Sequence, residues 1–148
     1  MIDLQPLVIL LVEDDPADQK LIKTSLRNQK VANDLSIVDD GEEGMDYLHR
    51  RGSYSGGAPR PDLILLDLNM PGMGGKEFLR RVKADEQLKE IPVVILTTSD
   101  SEKDIIDSYK LQASGYVRKP VTLVEFRDVM AKIGEYWFVL CKRPPKER

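Results

Sequence analysis

Five short apolar runs, each cut off by a polar or conformationally special residue, constrain this chain more than any other feature. They are Leu7–Val12, Leu35–Val38 (interrupted by Ser36), Leu63–Leu66, Pro92–Leu96 and Gly115–Val117. A continuous β-branched run without polar alternation is expected of a strand covered on both faces. Segments with helical spacing separate the runs. Asp15-Pro16, with Asp18 three residues after Asp15, combines an N-cap acid, a proline at the first helical position and an acid in the first turn. Ala17, Leu21, Ile22 and Leu26 then recur at helical spacing to about Asn28. Further helices are expected over roughly Glu42–Arg51, around Phe78, Leu79 and Val82, over Ser101–Tyr109 and over Leu123–Ile133. Strand and helix alternate throughout, which predicts an α/β fold: one parallel sheet with right-handed crossovers and helices on both faces.

Residues 1–141 are expected to form one domain, ending in the apolar and aromatic extension Tyr136–Cys141, with a disordered charged tail over 142–148. A chain of 148 residues suffices for one well-buried core. Gly52–Pro61 is a Gly-, Ser- and Pro-rich loop, long for an αβ connection. The formal charge of −3 removes any general bias toward nucleic acid. One cysteine, Cys141, excludes an internal disulfide and fits a reducing compartment. Leu7–Val12 is too short to span a bilayer and lacks a signal-peptide cleavage pattern. The reading is of a soluble cytoplasmic protein that uses neither membrane nor nucleic acid.

In an open parallel sheet, ligands bind outside the carboxyl ends of the strands. Four segments fall there: Val12-Glu13-Asp14-Asp15, Leu66-Asp67-Leu68-Asn69, Leu96-Thr97-Thr98 and Tyr116-Val117-Arg118-Lys119-Pro120. Asp15 is accounted for as a helix cap, but capping does not require Glu13 or Asp14. If Asp67 is their neighbour, several negative charges share one crevice, and two unit charges ~4 Å apart repel by roughly 4 kcal/mol at an effective dielectric near 20. A cation relieves that repulsion, and a small set of oxygen ligands suits Mg²⁺ retaining several waters. Asp67 reads either as a polar strand end before the turn at Pro71 or as a carboxylate nucleophile that takes a phosphoryl group. Asn69 offers its backbone carbonyl to the metal. Thr97 and Thr98 alone are commonplace at a strand end. Lys119, opposite in sign to the acids, pairs with a carboxylate or a phosphoryl oxygen.

Together these segments resemble the receiver domain of two-component response regulators over about Val8 to Ile133. The resemblance implies a flavodoxin-like doubly wound (βα)5 sandwich with a five-stranded sheet of order 2-1-3-4-5. It places the family's acidic pair on Glu13 and Asp14, its phosphoacceptor on Asp67 and its carbonyl metal ligand on Asn69. The hydroxyl falls on Thr97, the lysine on Lys119, the aromatic switch position on Tyr116 and the cis-peptide proline on Pro120. It further implies that a histidine kinase donates a phosphoryl group to Asp67, with Mg²⁺ held by Glu13 through water, by Asp14 and by Asp67. Thr97 and Tyr116 then alter the surface of the fourth helix, fifth strand and fifth helix. The departures Tyr47-Leu48-His49-Arg50-Arg51-Gly52-Ser53-Tyr54, Pro59-Arg60-Pro61-Asp62-Leu63 and Glu135-Tyr136-Trp137 resemble the small stand-alone response regulators of bacterial phytochrome histidine kinases. That resemblance implies a phosphorylation-dependent signalling protein, not a metabolic enzyme, with no DNA-binding output domain. It acts as an adaptor, shuttle or phosphate sink on an unidentified downstream protein.

Large exposed aromatics mark interfaces, so a homodimer through Tyr136-Trp137-Phe138 or the switch surface is expected. His49 is expected to be an exposed helix residue. Gly72-Met73-Gly74-Gly75-Lys76 lacks a phosphate loop's spacing and has Glu77 where Ser or Thr belongs, so it reads as a turn feeding a helix. An aspartyl-phosphate phosphohydrolase of the haloacid dehalogenase type needs an acid two residues after its nucleophile, where Asn69 stands. A flavin carrier shares the fold, but the acidic crevice opposes an anionic FMN phosphate.

Overall fold

The computed structural model describes residues 7–27, 33–97, 107, 110–119, 124 and 128. In chain order these form β1 (Leu7–Val12), α1 (Pro16–Arg27), β2 (Asn33–Val38), α2 (Gly41–His49), a 3₁₀ turn (Gly52–Tyr54), β3 (Leu63–Asp67), α3 (Gly75–Ala84), β4 (Val93–Thr97) and β5 (Gly115–Arg118). The five strands are parallel in the order β2-β1-β3-β4-β5. The chain therefore leaves β1 toward one edge, returns, and continues from β3 toward the other. That reversal opens a crevice between the carboxyl ends of β1 and β3. The expected fourth and fifth helices, Thr98, Pro120, the aromatic extension and the tail lie outside the described residues, apart from single positions within the two helices.

Period-two alternation sorts the strand residues into two cores. Leu10, Val12, Ile64, Leu66, Val93 and Ile95 face the side where Phe78, Leu79 and Val82 of α3 and Met45 of α2 pack. Ile9, Leu11, Leu63, Leu65, Val94, Leu96 and Val117 face Ile22 and Leu26 of α1. Both faces of the sheet are thus covered, and every residue of β1, β3 and β4 is buried. The unbroken apolar runs follow from that placement.

Except at the start of β4, which is Val93 and not Pro92, the strand boundaries that differ from the sequence reading differ for one reason. The ladder continues through polar residues at which apolarity stops: β2 starts at Asn33, and Asp67 and Thr97 are the last residues of β3 and β4, paired with Leu96 and Arg118. Asp67 and Thr97 are therefore held by the sheet itself, not by the loops beyond it. In α1, Asp15 caps as expected, its Oδ1 accepting from Ala17 N at 2.9 Å. Leu21 departs from the expected apolar stripe and is 41 % exposed, so the buried stripe is the narrower Ile22–Leu26 line.

Gly72 and Gly74 adopt φ +76°, a left-handed conformation that favours glycine. They turn the chain sharply into α3. Gly75 is required by proximity instead: a Cβ there would overlap the Asp67 carbonyl oxygen and sit 2.5 Å from Leu68 Cα. That close approach packs the start of α3 against the strand end bearing Asp67. The segment is a turn feeding a helix, as read. His49 is exposed, at the end of α2, and its Nε2 lies 3.4 Å from Asp85 Oδ2.

Candidate functional site

β1 delivers Glu13 and Asp14 to the crevice, β3 delivers Asp67, β4 delivers Thr97, and Lys119 follows β5 directly. Glu13 and Thr97 are fully buried, Asp67 is 3 % exposed, and Asp14 is exposed at the mouth. One carboxylate oxygen from each of Glu13, Asp14 and Asp67 lies within 4.8 Å of the others. The Lys119 ammonium sits at the inner wall. It contacts a Glu13 carboxylate oxygen, lies 2.9 Å from Asp18 Oδ2 and 3.5 Å from Asp67 Oδ2, and its side chain is only 6 % exposed.

The electrostatics follow from burial. Desolvation, then the hydrogen bond and charge of Asp67, push the Glu13 carboxyl up to about 8, against the pull of Lys119. Burial also works against charge on Lys119. Hydrogen bonds to Glu13 and Asp18, with the charges of Asp67 and Glu13, more than offset it and hold the ammonium above its ordinary range. Three carboxylates thus surround a single ammonium, with Asp14 a fourth beside Glu13 and Asp67, and the deficit falls on Glu13. A buried, oxygen-only, negatively biased set fits a hard divalent cation retaining water. The donor chemistry excludes the thiolate and imidazole sites of softer metals.

The β3 and β4 ends are tied together. Asn69 N donates to Asp67 Oδ1 at 3.2 Å, and Asn69 Nδ2 donates to Thr97 Oγ1 at 3.0 Å. Lys119 N donates to the Thr97 carbonyl at 2.9 Å, linking the β4 end to the lysine backbone. Tyr116, opposite Ile95 in the ladder, is half-buried and packs against the α2–α3 core.

The structure therefore brings together Glu13, Asp14, Asp67, Asn69, Thr97 and Lys119, with Tyr116 three residues before the lysine. Sequence reasoning missed three contributions. Asp18, read as a helix-start acid, is a direct partner of Lys119. Gln19 binds the Glu13 carbonyl through Nε2 and also reaches Asp39 Oδ1 at 2.9 Å. The Asn69 side chain bridges to Thr97, whereas only its carbonyl had been assigned. A signal for Asp18 was present. The line Ile22–Leu26 extended one turn toward the helix start lands on residue 18, and an acid on a buried stripe needs a partner. Lys119 shares strand parity with Val117, which packs on that same face.

The model of the response regulator receiver domain family matches residues 9–131. Response regulator Rcp1 of Synechocystis sp. is 42 % identical over 132 residues, covering 89 % of this chain and 89 % of that protein. The structure of the phosphorylated cyanobacterial phytochrome response regulator RcpA superposes with a TM-score of 0.80 at 42 % identity, covering 95 % of this chain and all of that one. The Mn²⁺-bound form of Rcp1 gives 0.79 at 41 % identity, with 95 % and 100 % covered.

Proposed function

The chain belongs to the response regulator receiver domain family, and from that premise we propose that Asp67 accepts a phosphoryl group from a partner histidine kinase in a Mg²⁺-dependent reaction. The observation that carries the assignment is the position of Asp67: last residue of a central strand, nearly buried, with two carboxylates within 4.8 Å and an ammonium at 3.5 Å. An isolated structural acid would not be placed among like charges. Asn69 N fixes one carboxylate oxygen, so the other is the oxygen presented for attack. As it bonds to phosphorus, the bond from phosphorus to the kinase imidazole breaks and the electron pair returns to that ring. Lys119 supplies positive charge to the transferring oxygens. Glu13 through water, Asp14, Asp67 and the Asn69 carbonyl would hold the Mg²⁺, which when bound would neutralise charge on the transferring group.

Thr97 Oγ1 then exchanges its Asn69 partner for a phosphoryl oxygen. Tyr116 moves into the space released, altering the surface next to β5, a local charge change biasing a two-state element. The protein signals through a downstream protein it contacts, in the cytoplasm, and β5, an edge strand, belongs to the dimer contact. Phytochrome kinase is the partner class best supported, because the similar cyanobacterial structure is named a phytochrome response regulator. No described helix is long and apolar enough to cross a membrane.

Intact mass after acetyl phosphate with Mg²⁺ tests the assignment. One phosphate adduct, absent from Asp67→Asn and from the EDTA-treated chain, is the expected result. An adduct that persists in Asp67→Asn overturns it. Transfer from a light-regulated phytochrome kinase tests the partner, and equal transfer from unrelated kinases would remove it. Sedimentation with and without beryllofluoride tests the dimer, which a monomer at every concentration would exclude.

A further inference from the structure

Lys119 has three N–H donors and three carboxylates around it, but those carboxylates are not equivalent. Glu13 and Asp67 belong to the group whose oxygens lie within 4.8 Å of one another and of Asp14. Asp18 stands outside that group, on the first turn of α1. Its side chain is 27 % exposed, and its Oδ2 lies 2.9 Å from Nζ, closer than Asp67 Oδ2 at 3.5 Å. The helix that bears it is anchored on the same sheet face through Ile22, one turn further on, which is 1 % exposed. Gln19, the next residue, ties that turn to the Glu13 backbone. The Asp18 carboxylate is thus fixed on a rigid element next to the site, with its partner lysine inside the crevice.

We propose that Asp18 is a positioning residue that holds the Lys119 ammonium when Glu13 and Asp67 turn to a divalent cation. The inference rests on the assignment of Asp67 as phosphoacceptor. A lysine released by both of those acids has four rotatable bonds and would otherwise swing to solvent or compete with the cation for Asp67. Anchored by Asp18, it keeps its remaining donors aimed toward the oxygens of the incoming phosphoryl group. Asp18 touches neither phosphorus nor metal, so its effect passes through Lys119 alone.

A double-mutant cycle isolates that effect. Phosphorylation rates with acetyl phosphate at saturating Mg²⁺ are measured for the full chain, Asp18→Asn, Lys119→Gln and the double variant. Asp18→Asn is expected to slow the wild-type background about 10- to 100-fold, the scale of a misplaced catalytic group. In the Lys119→Gln background it should change the rate less than about twofold, since coupled sites are non-additive. A second readout does not depend on turnover: in the Mg²⁺-loaded chain, the Lys119 ammonium protons seen by NMR should exchange slowly in wild type and rapidly in Asp18→Asn. Equal slowing by Asp18→Asn in both backgrounds, an unchanged rate, or unchanged ammonium exchange overturns the proposal. A wild-type chain that takes no phosphoryl group removes the Asp67 assignment and this inference with it. A wild-type chain that is phosphorylated while Asp18→Asn behaves identically removes this inference alone.

Discussion

The two rims of the sheet are built from opposite uses of charge. On the amino-terminal rim, where helices return to strands, donors meet carbonyls and carboxylates. Asp62 clamps the start of β1, its Oδ2 accepting from Val8 N at 2.8 Å while its own N donates to Val8 O at 2.7 Å. Tyr47 Oη donates to Pro59 O and Arg50 Nε to Ala58 O, each at 2.9 Å, and Lys83 Nζ donates to Ile91 O at 2.7 Å. On the carboxyl-terminal rim, Glu13, Asp18 and Asp67 crowd one ammonium, and Asp14 stands beside Glu13 and Asp67. A cavity of about 170 Å³, bounded by Tyr47, Arg50, Pro59, Arg60 and Leu88, opens on the first rim, away from the acids. One rim is a set of satisfied hydrogen bonds that hold the fold. The other keeps an excess of negative charge, which the proposed cation and phosphoryl chemistry would use.

The largest expected contrast comes from Asp67→Asn. It abolishes phosphoryl incorporation yet leaves the melting temperature equal to or above wild type, because it removes one of several like charges. A clear loss of stability by calorimetry would place Asp67 with the structural rim instead. Lys119→Met is expected to cost about 3 kcal/mol in metal-free urea unfolding, since it leaves buried carboxylates without their counter-charge. Mg²⁺ should recover part of that loss. Indifference to Mg²⁺ would break the link between charge imbalance and cation binding.

Gly75→Ala sharpens the comparison differently, because it acts on the site through packing. Its Cβ has no room beside the backbone of Asp67 and Leu68, so the loop must shift. A loss of about 1–3 kcal/mol should accompany slower phosphorylation. A stable variant with an unchanged rate would show that the β3 end tolerates displacement. On the opposite rim, Tyr47→Phe should cost about 1 kcal/mol for the lost bond to Pro59 O, with the phosphorylation rate at the wild-type value.

The smallest effect is one of titration. The hydrogen bond to Glu43, with burial and the Glu43 charge, pushes the Tyr54 hydroxyl up to about 12. Because the folded value is raised, the contribution is fully present below the ordinary tyrosine range near pH 10. It is lost as pH rises through about 12. Absorbance titration at 295 nm should show a late-ionising component that Glu43→Gln diminishes. An unchanged curve in that variant would remove the Tyr54–Glu43 bond from the account.

Much of this contrast was legible in the sequence, for identifiable reasons. Strands buried on both faces must be apolar throughout, so Leu7–Val12 and Leu63–Leu66 announced themselves, and the acids ending them marked the functional rim. Asp15-Pro16 marked a helix start because its chemistry is local. What was not legible depends on two distant elements meeting. Asp18 reads equally well as a dipole-favoured acid until Lys119 is placed beside it. The Asn69 side chain shows no preference for Thr97 until β3 and β4 are paired. The segment after α2, expected as a loop, contains a 3₁₀ turn that sets Tyr54 edge-on to Tyr47 at 5.1 Å and its hydroxyl 2.6 Å from Glu43 Oε2. Glycine, serine and proline reveal a change of direction but not what the turn will touch.

The central claim is that the carboxyl-terminal rim directs a phosphoryl group to Asp67. Borohydride reduction of the acetyl-phosphate-treated chain, followed by peptide mass mapping, tests it most directly, because reduction converts an aspartyl phosphate to homoserine. The account predicts homoserine at position 67 alone, formed with Mg²⁺ and absent with EDTA. Homoserine at position 14 or elsewhere, or a phosphate adduct that leaves no homoserine, would contradict it.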